Sequence, residues 1–231
     1  MNYHIISLLF IPAIIFTLIA SWKVKTTYRK FSQSKSSRNI TGAEAARRVL
    51  YAQGVTDVDI HCISGELTDH YNPRDNSLNL SNDVYHGTSV ASIGVACHEA
   101  GHALQYANSY TPIKIRAALV PITNFAAQFS GLLITVGLLL TYFSTAFLFL
   151  AEIGVLLFGF STLFQLITLP TEFNASRRAM KAIRDNEILT PTECNGARKV
   201  LSAAAMTYVA ALAVSLLNLL RLLSIVNGRK R

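Results

Sequence analysis

Charge is scarce in this chain. Of its 231 residues only 15% are charged, while 51% are hydrophobic. Soluble domains carry roughly a quarter charged residues, so an ordinary soluble domain is a poor fit. Acid is the scarcer sign: 13 Asp and Glu stand against 21 Lys and Arg, a formal net charge of +8. Such an excess serves nucleic acid, an anionic membrane, or the cytoplasmic loops of a membrane protein. No nucleic-acid motif is present, and the cations sit beside apolar blocks. Lys23, Lys25, Arg29 and Lys30 follow the first block, and Arg229, Lys230 and Arg231 follow the last. The expected partner is therefore a lipid bilayer and not nucleic acid. Cysteine is also sparse. Cys62, Cys97 and Cys194 are scattered, odd in number and without CxxC spacing. They read as free thiols in a reducing compartment. Tandem repeats are absent.

What is present begins with "YHIISLLFIPAIIFTLIASW", Tyr3 to Trp22, long enough to cross a bilayer. A cleaved signal peptide would want a basic stretch before the block and an A-x-A site after it. Neither is found, and the basic cluster lies after the block, so it reads as a retained anchor whose C-terminal side is cytoplasmic. A Ser- and Lys-rich linker follows. "TGAEAARRVLYAQG" predicts a helix with Thr41 as N-cap and Gly54 as its stop. "VTDVDIHCISG" predicts a strand, and two more strands are expected around a turn at Pro73 to Asn76. The polar run from Asp69 to Arg74 reads either as an active-site or substrate loop or as a hairpin held by an Asp69–Arg74 contact, with Pro73 and Arg74 assigned to structure and His70 and Tyr71 open. "SLNLS", Ser77 to Ser81, reads as an edge strand on which an extended substrate pairs, or equally as an inner strand without contact to substrate. "TSVASIGVACHEAGHALQYANS" predicts a helix capped by Thr88 or Ser89. Apolar blocks from about Ala117 to Thr141 and Phe143 to Leu169 predict a helical hairpin through the membrane. Glu152, inside the second, is given no chemistry. A last apolar block, Leu201 to Val226, reads as a fourth span or as a helix packed along the others.

Within the helix that follows the strands lies HEAGH. His98 and His102 are one turn apart on one face, so both imidazoles reach one metal. Glu99, beside the first, projects toward the place of a metal-activated water. Two ligands and a general base from one helical turn is the mechanical sense of HExxH. Gly101 is expected to leave room beside the metal, and Cys97 to face away as core filling. The bland alternative is a core helix with buried, hydrogen-bonded histidines. A catalytic zinc needs a third protein ligand. Position 108, where one pattern would supply a histidine, is Asn108. His4, His61, His70 and His86 are weaker candidates by place. "LPTEFNASRRA" offers Glu172 on a second helix, the best third ligand. Oxyanion or substrate contacts are sought among His70, Tyr71, His86, Arg177 and Arg178, all of which also fit ordinary polar roles.

"GELTDHYNPRDNSLNLSNDVYHGTSVASIGVACHEAGHALQ", followed by "RAALVP" and "LPTEFNASRRA", resembles the YugP-type neutral zinc metallopeptidases of bacterial membranes. The resemblance runs from about Thr41 to Arg221 and includes the spacing of the apolar blocks. More distantly the chain is similar to the HtpX and CAAX-prenyl-protease group, whose later ExxAD motif reads EFNAS here, so that Ser176 replaces an aspartate. The resemblance implies a mainly α membrane protein with three or four transmembrane helices and a small α+β zincin, minigluzincin-like. The expected divisions are an anchor over 1–22, a catalytic zincin region over 23–116, a transmembrane hairpin over 117–169, a third-ligand region over 170–200 and a C-terminal apolar helix with basic tail over 201–231. It also implies peptide-bond hydrolysis in the cell membrane, on or near the cytoplasmic side, acting on peptides or membrane proteins. One Zn2+ per chain would be held by His98, His102 and Glu172, with Glu99 as general base. The competing function is a non-catalytic membrane scaffold that retains a zinc site.

Overall fold

A computed structural model describes residues 3–229, with side chains described from residue 11 onward; the side chain of His4 lies outside them. The chain is mainly helical with one small sheet. It divides into two units. One comprises Ala20–Lys114 and Pro170–Met206; the other comprises Met1–Ile19, Ile115–Leu169 and Thr207–Arg231.

In the first unit, α1 (Tyr3–Ser32) contributes its C-terminal part, and α2 (Gly42–Ala52) follows. Thr41 caps α2, its hydroxyl accepting from Glu44 N at 3.1 Å, and Gly54 ends the turn at φ +72°. Both follow from the amide donors and the left-handed exit that a helix leaves at its ends. Strands β1 (Asp59–Ile63), β2 (His70–Asn72) and β3 (Ser77–Ser81) form a sheet in the order β1-β3-β2. The edge reading of SLNLS thus gives way to the inner one, as the central strand: β1 pairs with it in parallel and β2 antiparallel. Its burial explains the place, because Leu78 and Leu80 are fully enclosed and an outer strand would leave one of its backbone edges to water. The turn at Pro73 to Asn76 is as expected, but no Asp69–Arg74 pair holds it. Asp69 instead accepts from Ser81 N and Ser81 Oγ at 2.8 and 3.0 Å, and Asp75 accepts from Ser77 Oγ at 2.7 Å. Short hydroxyl and amide donors lie next to both carboxylates, while Arg74 stays in solvent.

A short helix, α3 (Asn82–Tyr85), leads to α4 (Val90–Ala107). Ser89 is the cap of α4, accepting from Ser92 N at 3.0 Å. The chain after α1 clamps this start, with Val90 N donating to Ser34 O and Ser36 N to Thr88 O. α4 runs through the middle of the core: Ile93, Ala96, Cys97 and Ala100 are buried among Val49, Leu78, Ala179 and Ile183. Cys97 is core filling, its thiol pushed up by burial.

The helix carrying Glu172 is not a separate element. α6 (Leu148–Asp185) runs through Pro170 without a break. The final helix, α7 (Pro191–Gly228), opens with Thr190, Pro191 and Glu193. Glu193 accepts from Thr190 N at 2.9 Å and Thr190 Oγ1 from Glu193 N at 3.4 Å, a reciprocal cap with proline where no amide is needed.

The second unit holds α5 (Thr111–Leu140) from Ile115, the apolar stretches of α6 and α7, and a small core of Ile134, Leu148, Ala151, Val155 and Val226. Among the described residues, three helices are long and apolar enough to cross a membrane, spanning Thr111–Leu140, Thr145–Asp185 and Pro191–Gly228. The last apolar block therefore has the length and composition of a span.

Candidate metal centre

Helix α4 presents its two histidines on one face, one turn apart, with ring centroids separated by 4.9 Å. Opposite them stands Glu172 of α6, only 3% exposed. Its Oε2 lies 3.3 Å from His98 Nε2 and 3.5 Å from His102 Nε2. The three donor atoms fall within 4.8 Å of one another. A tetrahedral zinc with ligands at about 2.0–2.1 Å separates neighbouring donors by about 3.3 Å. The nitrogen and carboxylate donor set and its spacing fit that ion.

The outer nitrogens of both rings are also engaged. His102 Nδ1 lies 3.0 Å from Gln105 Oε1. Gln105 Nε2 donates to Thr171 O at 2.8 Å and to Asn174 Oδ1 at 3.0 Å. Since the amide nitrogen is spent there, Oε1 must accept and His102 must carry its proton on Nδ1. That leaves Nε2 on the Glu172 side, where it donates to the carboxylate when protonated and offers its lone pair to a metal when not. His98 Nδ1 lies 3.1 Å from Ser176 Oγ. Where the distant group has an aspartate, a hydroxyl makes the contact to the ring. Gln105 was not anticipated, although a fully buried amide one turn beyond the second histidine is a polar group that demands partners.

The helices can meet this closely because of Gly101. A Cβ there would stand 2.6 Å from Ala175 O. The space expected beside the metal is filled by the backbone of α6. Contacts 105 with 171, 101 with 175 and 98 with 176 run in opposite numerical directions, so α4 and α6 cross antiparallel and bring Glu172 opposite the histidine pair.

Glu99 is half-buried beside the cluster. Burial pushes its carboxyl up, and the imidazoles of His98 and His102 oppose that rise. Burial alone would lower His102, but its hydrogen bond to the Glu172 carboxylate outweighs this and holds the ring above its ordinary value. The site is thus negative enough to favour a cation.

The remaining candidates are spread out. His70 sits on β2, an outer strand, with Nδ1 2.8 Å from Thr68 O. Tyr71 donates its hydroxyl to Asn76 Oδ1 at 2.6 Å and packs its ring 5.5 Å from Tyr106. His86 lines a cleft of about 1070 Å³ together with Tyr28, Glu66 and Asp83. Arg178 Nε donates to Asn174 Oδ1 at 2.8 Å, and its guanidinium lies 5.8 Å from the Tyr110 ring. Arg177 lines a groove with Arg184 and Arg198.

Comparison with known proteins accords with the donor set. Residues 6–227 match a family described as "Putative neutral zinc metallopeptidase". A Bacillus subtilis (strain 168) protein described as "Putative membrane protease YugP" is 46% identical over 211 residues, 91% of this chain and 92% of that protein. No solved structure gives a significant match. The family match spans the histidine pair, Glu172 and the apolar helices alike, and the chain belongs to this family of neutral zinc metallopeptidases.

Proposed function

We propose that this chain is a membrane-embedded zinc endopeptidase of gluzincin type, with a minigluzincin-like catalytic region, one zinc per chain, and peptides or membrane proteins as substrates. The observation that carries the reading is the convergence of His98 Nε2, His102 Nε2 and Glu172 Oε2 on one point, with a second carboxylate beside them. These three residues hold the ion. When bound, zinc supplies Lewis acidity that polarises the scissile carbonyl and lowers the pKa of a water molecule. Glu99 takes a proton from the attacking water and delivers it to the leaving amine.

The oxyanion donor on this reading comes from His70, Tyr71, His86, Arg177 or Arg178. The His70 Nδ1 is tied to Thr68 O, while Nε2 has no recorded partner among the described residues. The Tyr71 hydroxyl and the Arg178 Nε are already engaged. Substrate pairs in extended form along β2, an outer strand packed against α4. The anchor over 1–22, the hairpin over 117–169 and the helix over 201–231 hold the catalytic region at the cytoplasmic side of the cell membrane.

A scaffold that kept zinc for folding would be served by four protein ligands and would have no use for Glu99. The cluster found among the described residues has three donors. Metal content of detergent-purified protein tests the assignment. Wild type and Glu99→Gln are expected to hold about one zinc per chain and Glu172→Ala to lose it. A Glu172→Ala protein that binds zinc like wild type overturns the ligand set.

A further inference from the structure

Outside the metal centre, two helices of the same unit bring four cations to one groove. α1 and α7 meet where Phe31 covers Gly196, and a Cβ on that glycine would lie 2.8 Å from the ring. Along this contact opens a groove of about 530 Å³. Lys23, Lys30, Arg198 and Lys199 line it, with the hydroxyls of Thr26, Thr27 and Ser202 and an apolar wall of Phe31, Ala203 and Met206. No carboxylate lines it. All four cations are exposed, and among the described residues none has a recorded ion-pair partner within 4.0 Å. Like charges gathered in one concavity raise the local potential and attract an anion.

Chain position gives the height of the groove. Lys23 directly follows the apolar block that ends at Trp22, and Arg198 and Lys199 directly precede the one that begins at Leu201. If both apolar blocks cross the bilayer, these helix turns stand where the chain leaves the hydrocarbon region, at the depth of phosphate headgroups. A second groove of about 470 Å³ shares Arg198, Ser202 and Met206 and adds Arg177 and Arg184. The cleft lined by Lys25 and Arg29 is different, because Glu66 and Asp83 line it too.

We propose that the α1–α7 groove binds the phosphodiester headgroup of an anionic phospholipid. Lys23, Lys30, Arg198 and Lys199 meet the phosphate, the hydroxyls supply hydrogen bonds, and Ala203 and Met206 lie against the acyl chain. The proposal does not depend on the metal centre.

Trp22 is the single tryptophan, is 67% exposed and precedes Lys23 on α1, so its quenching reports lipid gathered next to the groove. Full-length protein in neutral detergent is titrated with bromine-labelled phosphatidylglycerol or bromine-labelled phosphatidylcholine, and quenching of Trp22 is read. Phosphatidylglycerol is expected to quench at the lower mole fraction. Each of Lys23→Gln, Lys30→Gln, Arg198→Gln and Lys199→Gln should raise its half-quenching fraction about fivefold. Lys25→Gln with Arg29→Gln should leave it unchanged; an unaltered melting temperature shows that every variant folds. Equal quenching by the two lipids overturns the proposal. So does an equal effect of the Lys25 and Arg29 control, which would mean diffuse attraction. If inorganic phosphate at the lipid concentration removes the preference, the groove takes free phosphate; if polyglutamate removes it, the groove takes an acidic peptide. Either result also overturns the lipid assignment.

Discussion

At the scale of single residues, the histidines are aimed by neutral partners. Gln105 and Ser176 hold the two Nδ1 atoms, and Gln105 ties its ring to the backbone of the helix that bears Glu172. Outer partners of this kind typically carry a factor of 10–100 in metal affinity. Ser176→Ala and Gln105→Leu should each weaken zinc binding by about that factor, read by competition with a chromophoric chelator. Gln105→Leu should also lower the melting temperature of metal-free protein, since Thr171 O and Asn174 lose a buried donor. Ser176→Asp should tighten binding instead, because a carboxylate makes the ring a stronger donor. Glu99→Gln separates chemistry from binding. It should keep zinc while hydrolysis of a casein or peptide substrate falls by about 10²–10⁴, the usual contribution of a positioned acid–base group. Retained activity in that variant would remove Glu99 from its role.

At the scale of elements, the decisive contact is α4 against α6. Gly101→Val places branched carbon where Ala175 O already stands 2.6 Å from an ideal Cβ. The helices must part, at about 1–3 kcal/mol for overpacking, and Glu172 moves away from the histidines. The expected result is a lower melting temperature together with weaker zinc binding; stability lost with zinc affinity intact would mean that the crossing does not set the site. HEAGH, the caps Thr41 and Ser89, and the turn at Pro73 were legible in the sequence because each is local chemistry over a few residues. Glu172 was legible as the acid opening a polar stretch after an apolar block. The antiparallel crossing was not, since the glycine inside HEAGH reads equally as space for a metal or for a neighbouring backbone. The central place of β3 was hidden as well: SLNLS alternates as an edge strand does, and only the parallel pairing of β1 encloses its second side. The Thr190–Glu193 cap was readable in TPTE, four residues that announce α7, but the charged stretch around it masked the start.

At the scale of the whole molecule, the site constrains how the chain threads the bilayer. His102 and Glu172 meet, so if Thr111–Leu140 and the apolar part of α6 each cross the bilayer, the segment between them returns to the face it left. On that threading the segments that bear His102 and Glu172 are expected on one side. The cations Lys23, Lys25, Arg29 and Lys30 follow the first apolar block, and Arg177, Arg178 and Arg184 follow the hairpin, so the same side carries the basic flanks and is expected to be cytoplasmic. The protein supplies its own reporter. Of its three free cysteines, Cys62 is exposed while Cys97 and Cys194 are buried. Burial also raises the thiol of Cys97 and so keeps it unreactive. A membrane-impermeant maleimide should leave the protein unlabelled in intact cells and label one site once the cells are opened. Cys62→Ser should abolish that labelling. Labelling of Cys62 in intact cells would place the strands, the HEAGH helix and the metal centre outside, and with them the class of substrates that the enzyme meets.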